Sequence, residues 1–199
     1  MARFGKKCTY DGYSFDSEVE RDFYIHIKSI KAKGGIKDFI MQVTYPLQEE
    51  FTTNFDHSWT NVKIQPIVFS PDYLITLNDD SQILVDTKGS SGCIEVDSQL
   101  RRKMLLYRNP TIPIIFIAKL PIYLGSKWVE ITAGSDFQAK LRLKYGKLYP
   151  SSKGNKSKPI NWKIDNWKEY FNFHEVSGMF YVWDNTITIK KTKVKKVSE

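Results

Sequence analysis

Cysteine is scarce in this chain. Cys8 and Cys93 are the two it has among 199 residues. Two thiols give neither a disulfide framework nor a Cys-x-x-Cys metal pair. The three histidines, His26, His57 and His174, stand apart; none has a partner at ligand spacing, so each reads as structural or solvent-facing. Long apolar runs are also missing. The longest, Ile114-Ile115-Phe116-Ile117-Ala118, is far too short to span a bilayer. The start, Met1-Ala2-Arg3-Phe4-Gly5-Lys6-Lys7, lacks the apolar stretch of a secretory signal, and no internal repeat is visible. The expectation is a soluble, cytoplasmic protein without a membrane partner.

What the chain does have is a core and a charge imbalance. Apolar content of 41% and aromatic content of 14% suffice to bury a core and exclude disorder throughout. The net charge of +8 is unevenly spread. Residues 1–124 carry 15 Lys/Arg against 15 Asp/Glu, whereas residues 125–199 carry 15 against 7. The whole excess lies in the C-terminal part, and a basic field of this kind attracts polyanions. A solvated surface with a Lys-rich tail is the duller alternative.

Patterning along the chain predicts its elements. Residues 1–12 read as an extended basic arm. Val19, Phe23, Ile27 and Ile30 form a stripe of helical period that Gly34-Gly35 terminates. Residues 36–51 read as one or two strands, 52–61 as a polar loop, and 62–69 as a further strand. Asp97-Ser98 is placed to cap a second helix with Leu100, Met104 and Tyr107 on one face; Asn109-Pro110 stops it, and 112–118 is a buried strand. This is an α/β pattern, a mixed sheet flanked by helices. The expected division is a core over 1–124, a basic C-terminal extension or subdomain over 125–189, and a Lys-rich tail over 190–199. Within the extension, Trp162, Trp167, Tyr170, Phe171 and Phe173 form an aromatic cluster, either a small core or a platform for bases. A final strand is expected over 181–189.

The segment Pro71–Gly89 is the most informative. Two β-branched, apolar runs flank the polar cluster Asn78-Asp79-Asp80-Ser81, a hairpin signature. A turn centred on Asp79 pairs Leu77 with Ser81 and, by the same symmetry, Asp72 with Asp86. Directly opposed residues have Cβ atoms roughly 4.5–5.5 Å apart. Two carboxylates at that distance repel, and a cation between them relieves the repulsion. Lys88, two residues after Asp86, points to the same face. The set suits a divalent metal and a phosphate. The competing reading makes both aspartates solvated hairpin residues, with Lys88 neutralising Asp86.

Pro71-Asp72 with Asp86-Thr87-Lys88, in this order of elements, resembles the PD-(D/E)XK nuclease superfamily, and more closely a phage-borne branch of it. The match extends to Tyr10-Asp11-Gly12-Tyr13-Ser14-Phe15-Asp16-Ser17-Glu18-Val19-Glu20, to Gly35-Ile36-Lys37-Asp38-Phe39-Ile40-Met41-Gln42, and to the basic Arg101-Arg102-Lys103. It spans roughly residues 5–120. Asp86 departs from the commoner Glu. The resemblance implies a restriction-endonuclease-like core in αβββαβ order and a Mg²⁺-dependent (or Mn²⁺-dependent) endodeoxyribonuclease. Asp72, Asp86, the Thr87 carbonyl and Glu20 would hold the metal, and Lys88 would orient the attacking water. Gln42 would line the site; Arg101, Arg102, Lys103 and the tail residues Lys190 and Lys191 would bind DNA. A homodimer or a larger nucleoprotein complex in a bacterial host would be the working form. Glu20 has a second reading, because Ser17-Glu18-Val19-Glu20 fits a capping box. The alternative function is a non-catalytic DNA-binding or assembly subunit on a nuclease scaffold.

Overall fold

The computed structural model describes residues 6–55, 59–120, 126–132 and 173–183. It begins with a hairpin, β1 (Cys8–Tyr10) and β2 (Tyr13–Phe15). The turn between them is Asp11-Gly12, with φ of 56° and 79°. Two successive positive φ values are what a tight two-residue hairpin turn needs. From residue 8 onward this hairpin replaces the extended arm expected from the sequence, and Asp11-Gly12 is its local signal.

Helix α1 (Glu18–Ala32) follows. Ser17 caps it, its Oγ accepting from the Glu20 amide at 3.1 Å. At the other end Gly34 adopts φ +74°, its amide donating to the Lys31 carbonyl and that of Gly35 to the Ile30 carbonyl, both at 2.9 Å. That pair of bonds is a Schellman stop, which favours glycine because a Cβ resists positive φ. The predicted stripe faces inward: Phe23 and Ile27 are fully buried, with Val19 and Ile30 packed against the same core.

The remaining strands are β3 (Asp38–Met41), β4 (Tyr45–Gln48), β5 (Phe51–Phe55), β6 (Trp59–Ile64), β7 (Ile67–Phe69), β8 (Tyr73–Thr76), β9 (Gln82–Thr87), β10 (Ile114–Lys119), β11 (Trp128–Ile131), β12 (Phe173–Val176) and β13 (Phe180–Trp183). Helix α2 (Val96–Arg108) lies between β9 and β10. A seven-stranded sheet runs in the order β12-β13-β11-β10-β9-β8-β3. It is mixed: β3, β8 and β9 are antiparallel neighbours, and β9 and β10 are parallel. The β9–β10 crossover carries α2, as a parallel connection requires. Strands β11, β12 and β13 continue this same sheet. One face packs on α1 through Tyr73, Ile75, Val85, Ile115, Ile117 and Trp128. The other buries Leu74, Leu84 and Ile114 against Leu105 of α2 and against Leu47 and Phe69.

Four further expectations are corrected. Residues 52–61 are largely strand, because β5 and β6 form a separate two-stranded ribbon; its polar residues lie on a pair with no third strand among the described residues. The strand expected over 62–69 divides at Gln65-Pro66 into β6 and β7, since proline cannot donate to a ladder. Helix α2 is capped at Glu95, with no side-chain cap bond, rather than at Asp97-Ser98. Its buried residue is Leu105, whereas Leu100 and Tyr107 are exposed. The expected Trp162–Phe171 cluster, and the stretch of the final strand beyond Trp183, lie outside the described residues.

Candidate functional site

The β8–β9 register sets the site. Tyr73 opposes Val85 and Leu74 opposes Leu84, and Leu77 N donates to Ser81 O at 2.8 Å. The next outward pair in this register is Asp72 and Asp86. Asp86 alternates to the α2 side, like Leu84, and stands beside Phe116 in the parallel strand β10. Lys88 reaches the same face: its Nζ lies 3.0 Å from Asp86 Oδ1 and 5.7 Å from the centre of the Phe116 ring. The Lys88 amide continues the parallel ladder by donating to Ile117 O at 2.8 Å.

The Asp72 carboxyl is held from across the hairpin. Its Oδ2 accepts from the Thr87 amide at 2.7 Å and from Thr87 Oγ1 at 2.6 Å. Alternation alone does not forecast this double bond. The Asp72 carbonyl accepts from Gln42 N at 2.9 Å. Gln42 sits just past β3 with φ +53°, a left-handed conformation uncommon for a residue with a Cβ. Its Nε2 lies 3.4 Å from Glu20 Oε1.

Glu20 is buried at 4% exposure in the first turn of α1, and that burial separates it from an ordinary solvated cap. Its Oε2 accepts from the Asp16 amide at 2.9 Å. The carboxylate therefore does capping work at the helix start while lying close enough to Asp72 for its charge to act there. Tyr73, wholly buried, donates its hydroxyl to the Glu20 carbonyl at 2.8 Å. Nothing in the sequence pattern flagged that tether.

These surroundings push the acids in one direction. Asp72 keeps some solvent access as a residue, yet its carboxyl is enclosed. Desolvation, then the neighbouring Asp86 charge, raise its pKa to about 7 against the lowering effect of Thr87. Burial raises Asp86 too, opposed by Lys88. Burial also raises Glu20, opposed by its bonds from Asp16 and Gln42. Three desolvated acids at one end of a sheet hold negative charge poorly by themselves.

The basic candidates divide. Arg101 is exposed on α2 and pairs with Asp97 at 3.0 Å, and Lys103 is exposed. Arg102 instead lies over Phe116, 5.4 Å from its ring centre, so it shares that ring with Lys88. Its Nε is buried without a hydrogen-bond partner among the described residues. Lys190, Lys191 and His57 fall outside the described residues.

No three His, Cys, Asp or Glu side chains among the described residues form a metal-holding group of their own. The donors on offer are two oxygen ligands, Asp72 and Asp86, with Glu20 behind. Mg²⁺ binds through one or two carboxylates and completes its shell with waters and substrate phosphates, so the donor chemistry fits such an ion. No described helix is long and apolar enough to cross a membrane. A family model described as "Protein of unknown function (DUF1064)" matches residues 2–125. No curated protein and no solved structure matches the chain.

Proposed function

Because this chain belongs to the DUF1064 family, whose description assigns no activity, we propose a function from the site itself: a metal-dependent endodeoxyribonuclease on a restriction-endonuclease-like core of the PD-(D/E)XK kind. The carrying observation is the adjacency of two desolvated carboxylates, Asp72 and Asp86, with the Lys88 ammonium 3.0 Å from one of them. Opposed aspartates weaken a hairpin, and burial aggravates the repulsion. A site that binds a cation and a phosphate gives this arrangement a use.

Asp72 and Asp86 would hold Mg²⁺ or Mn²⁺, with the Thr87 carbonyl and Glu20 as further ligands in line with the resemblance. Bound there, the ion supplies positive charge against the phosphate and acidifies a water. Lys88 stands where an ammonium can orient the attacking water and stabilise charge that grows on the phosphoryl oxygens. Thr87 fixes one oxygen of Asp72 and leaves the other available. Gln42 steadies Glu20. The basic α2 residues and the basic C-terminal part would grip the DNA backbone. DNA is the proposed partner, and a homodimer or larger nucleoprotein complex would bring two such sites to a duplex.

The second reading, a non-catalytic DNA-binding or assembly subunit, draws support from the Lys88–Asp86 ion pair, which satisfies both side chains internally. One experiment separates the two. The purified full chain is incubated with duplex, single-stranded, flapped and four-way-junction DNA in Mg²⁺, Mn²⁺ or EDTA, beside Lys88→Ala. The nuclease reading requires metal-dependent cutting that the variant loses. Binding without cutting under every condition selects the second reading.

A further inference from the structure

Three acids and one lysine make a poor seat for a phosphate. Lys88 is already paired with Asp86 at 3.0 Å, and the carboxyls of Asp72 and Glu20 lie close by. An incoming phosphodiester needs a positive charge that these acids have not neutralised. Arg102 carries one. Asp86 stands beside Phe116 in the parallel ladder of β9 and β10, on the α2 side of the sheet, and Phe116 is buried. The Arg102 guanidinium, reaching over from α2, lies 5.4 Å from the centre of the Phe116 ring, and Lys88 Nζ lies 5.7 Å from the same centre. One buried ring therefore braces two cations, one from the end of a strand and one from a helix.

The surroundings of Arg102 leave its charge uncommitted. Its Nε is enclosed without a hydrogen-bond partner, and among the described residues the guanidinium forms no ion pair. The one carboxylate on which its charge acts is Glu130, where it opposes the upward push of burial. Glu130 faces Ile117 in the β10–β11 ladder, and Ile117 belongs to the core on the α1 side, so strand alternation turns Glu130 away from the Phe116 row. The neighbouring basic residues differ. Successive helical residues point about 100° apart, so Arg101 and Lys103 leave α2 in other directions. Both are exposed, and Arg101 pairs with Asp97 at 3.0 Å. A guanidinium also offers what the Lys88 ammonium cannot, a rigid fork of donors that matches two oxygens of one phosphate.

We infer that Arg102 is a catalytic residue of this site, its guanidinium braced on Phe116 beside Lys88 so that both cations hold the phosphodiester being cut. This role rests on the nuclease reading and deepens it by separating Arg102 from the general basic surface of α2. Arg101 and Lys103 meet the DNA backbone away from the chemistry, whereas Arg102 meets the reacting group. The two cations divide the work. Lys88, tied to Asp86, serves the acids and the attacking water. Arg102 supplies the free charge that draws a phosphate in against three carboxyls, and its fork meets the charge that grows on the phosphoryl oxygens in the transition state. Phe116 fixes the distance between them without offering a hydrogen bond of its own.

The test uses the full chain, the variants Arg102→Gln, Arg102→Lys, Arg101→Gln and Lys103→Gln, and two readouts. The first is affinity for a duplex oligonucleotide in EDTA, in the parent and in a Lys88→Ala background. Side chains on one phosphate couple, and side chains on separate phosphates add. Arg102→Gln should weaken binding about tenfold in the parent and less than about threefold in Lys88→Ala, while Arg101→Gln and Lys103→Gln should act equally in both backgrounds. The second is turnover at saturating DNA in Mg²⁺. It should fall about 10²-fold in Arg102→Gln and about tenfold in Arg102→Lys, which keeps the charge and loses the fork. Arg101→Gln and Lys103→Gln should change it less than about threefold. Arg102→Lys decides the turnover prediction if Arg102→Gln proves unfolded in a urea melt. Turnover by the Arg102 variants at the parent rate, or equal losses in the three Gln variants, overturns the inference and leaves the nuclease reading standing. Coupled binding by a parent chain that cuts nothing keeps the shared phosphate site and overturns the nuclease reading instead. Additive binding without cutting overturns both.

Discussion

The two ends of the β8–β9 hairpin are both acidic, and they hold their acids in opposite ways. At the turn, Asp79 and Asp80 are exposed. Asp79 accepts from the Ser81 amide and hydroxyl at 3.1 and 2.6 Å, and Asp80 pairs with Lys37. The hydrogen bonds from Ser81 hold Asp79 below its ordinary pKa. At the far end, Asp72 and Asp86 lose water and push each other upward. The turn uses its carboxylates to bend the chain; the far end holds two buried carboxyls, Asp72 bonded by Thr87 and Asp86 paired with Lys88. Acid count alone does not single out a candidate site, whereas a desolvated pair of carboxyls does.

The largest expected effect contrasts the ends by activity. Lys88→Ala should lower the rate of DNA cutting by about 10²–10³, the cost of removing one group that stabilises charge in a transition state. Asp79→Ala should leave that rate unchanged. Equal losses in both would dissolve the contrast, and time courses on one junction substrate measure them.

A second effect is stabilisation by metal. Mg²⁺ or Mn²⁺ at about a hundredfold over its dissociation constant should add about 2.7 kcal/mol to the unfolding free energy. Asp86→Asn should abolish the gain and Asp79→Asn should keep it. Urea melts with metal and with EDTA check this.

The third concerns pH. Without metal, Asp72 binds its proton more tightly folded than unfolded. Its contribution is present below the unfolded carboxyl range and is lost as pH rises from about 4 towards about 7, by at most about 1.4 kcal/mol per pH unit for one proton. Asp72→Asn should flatten that decline. His26, whose pKa is lowered by desolvation, slopes the other way, so the measured quantity is the difference between wild type and variant across pH 5–8. An identical pH dependence in the two would refute the assignment. The smallest effect is at the helix that brings Glu20 to the far end: Ser17→Ala should cost about 1 kcal/mol through loss of the cap, read from the same melts.

Much of this was legible from residues alone. The polar cluster at Asn78–Ser81 fixed the hairpin centre, and with it the opposition of Asp72 and Asp86 and the common face of Lys88. Ser17 and Gly34 bounded α1 because capping chemistry is local. What escaped was decided at a distance. Leu100 and Tyr107 share helical spacing with a buried face, but the sheet chose Leu105, since packing partners select which stripe turns inward. The β5–β6 ribbon escaped because its polar residues carry no core-facing alternation. The Thr87 bonds to Asp72 and the Arg102 guanidinium over Phe116 join residues that no periodicity relates. The division of the chain after residue 124 and the DNA-binding assignments of Lys190 and Lys191 stay sequence readings.

Thr87 grips a single oxygen of Asp72 with two donors. That grip freezes the carboxyl's rotation during folding rather than at the moment of encounter, so an ion of the proposed kind would meet an oxygen already aimed, at a smaller entropic cost of capture. Thr87→Val would keep the shape and the amide bond but loosen that aim, and its signature would be weaker ion capture in a protein that melts almost as before.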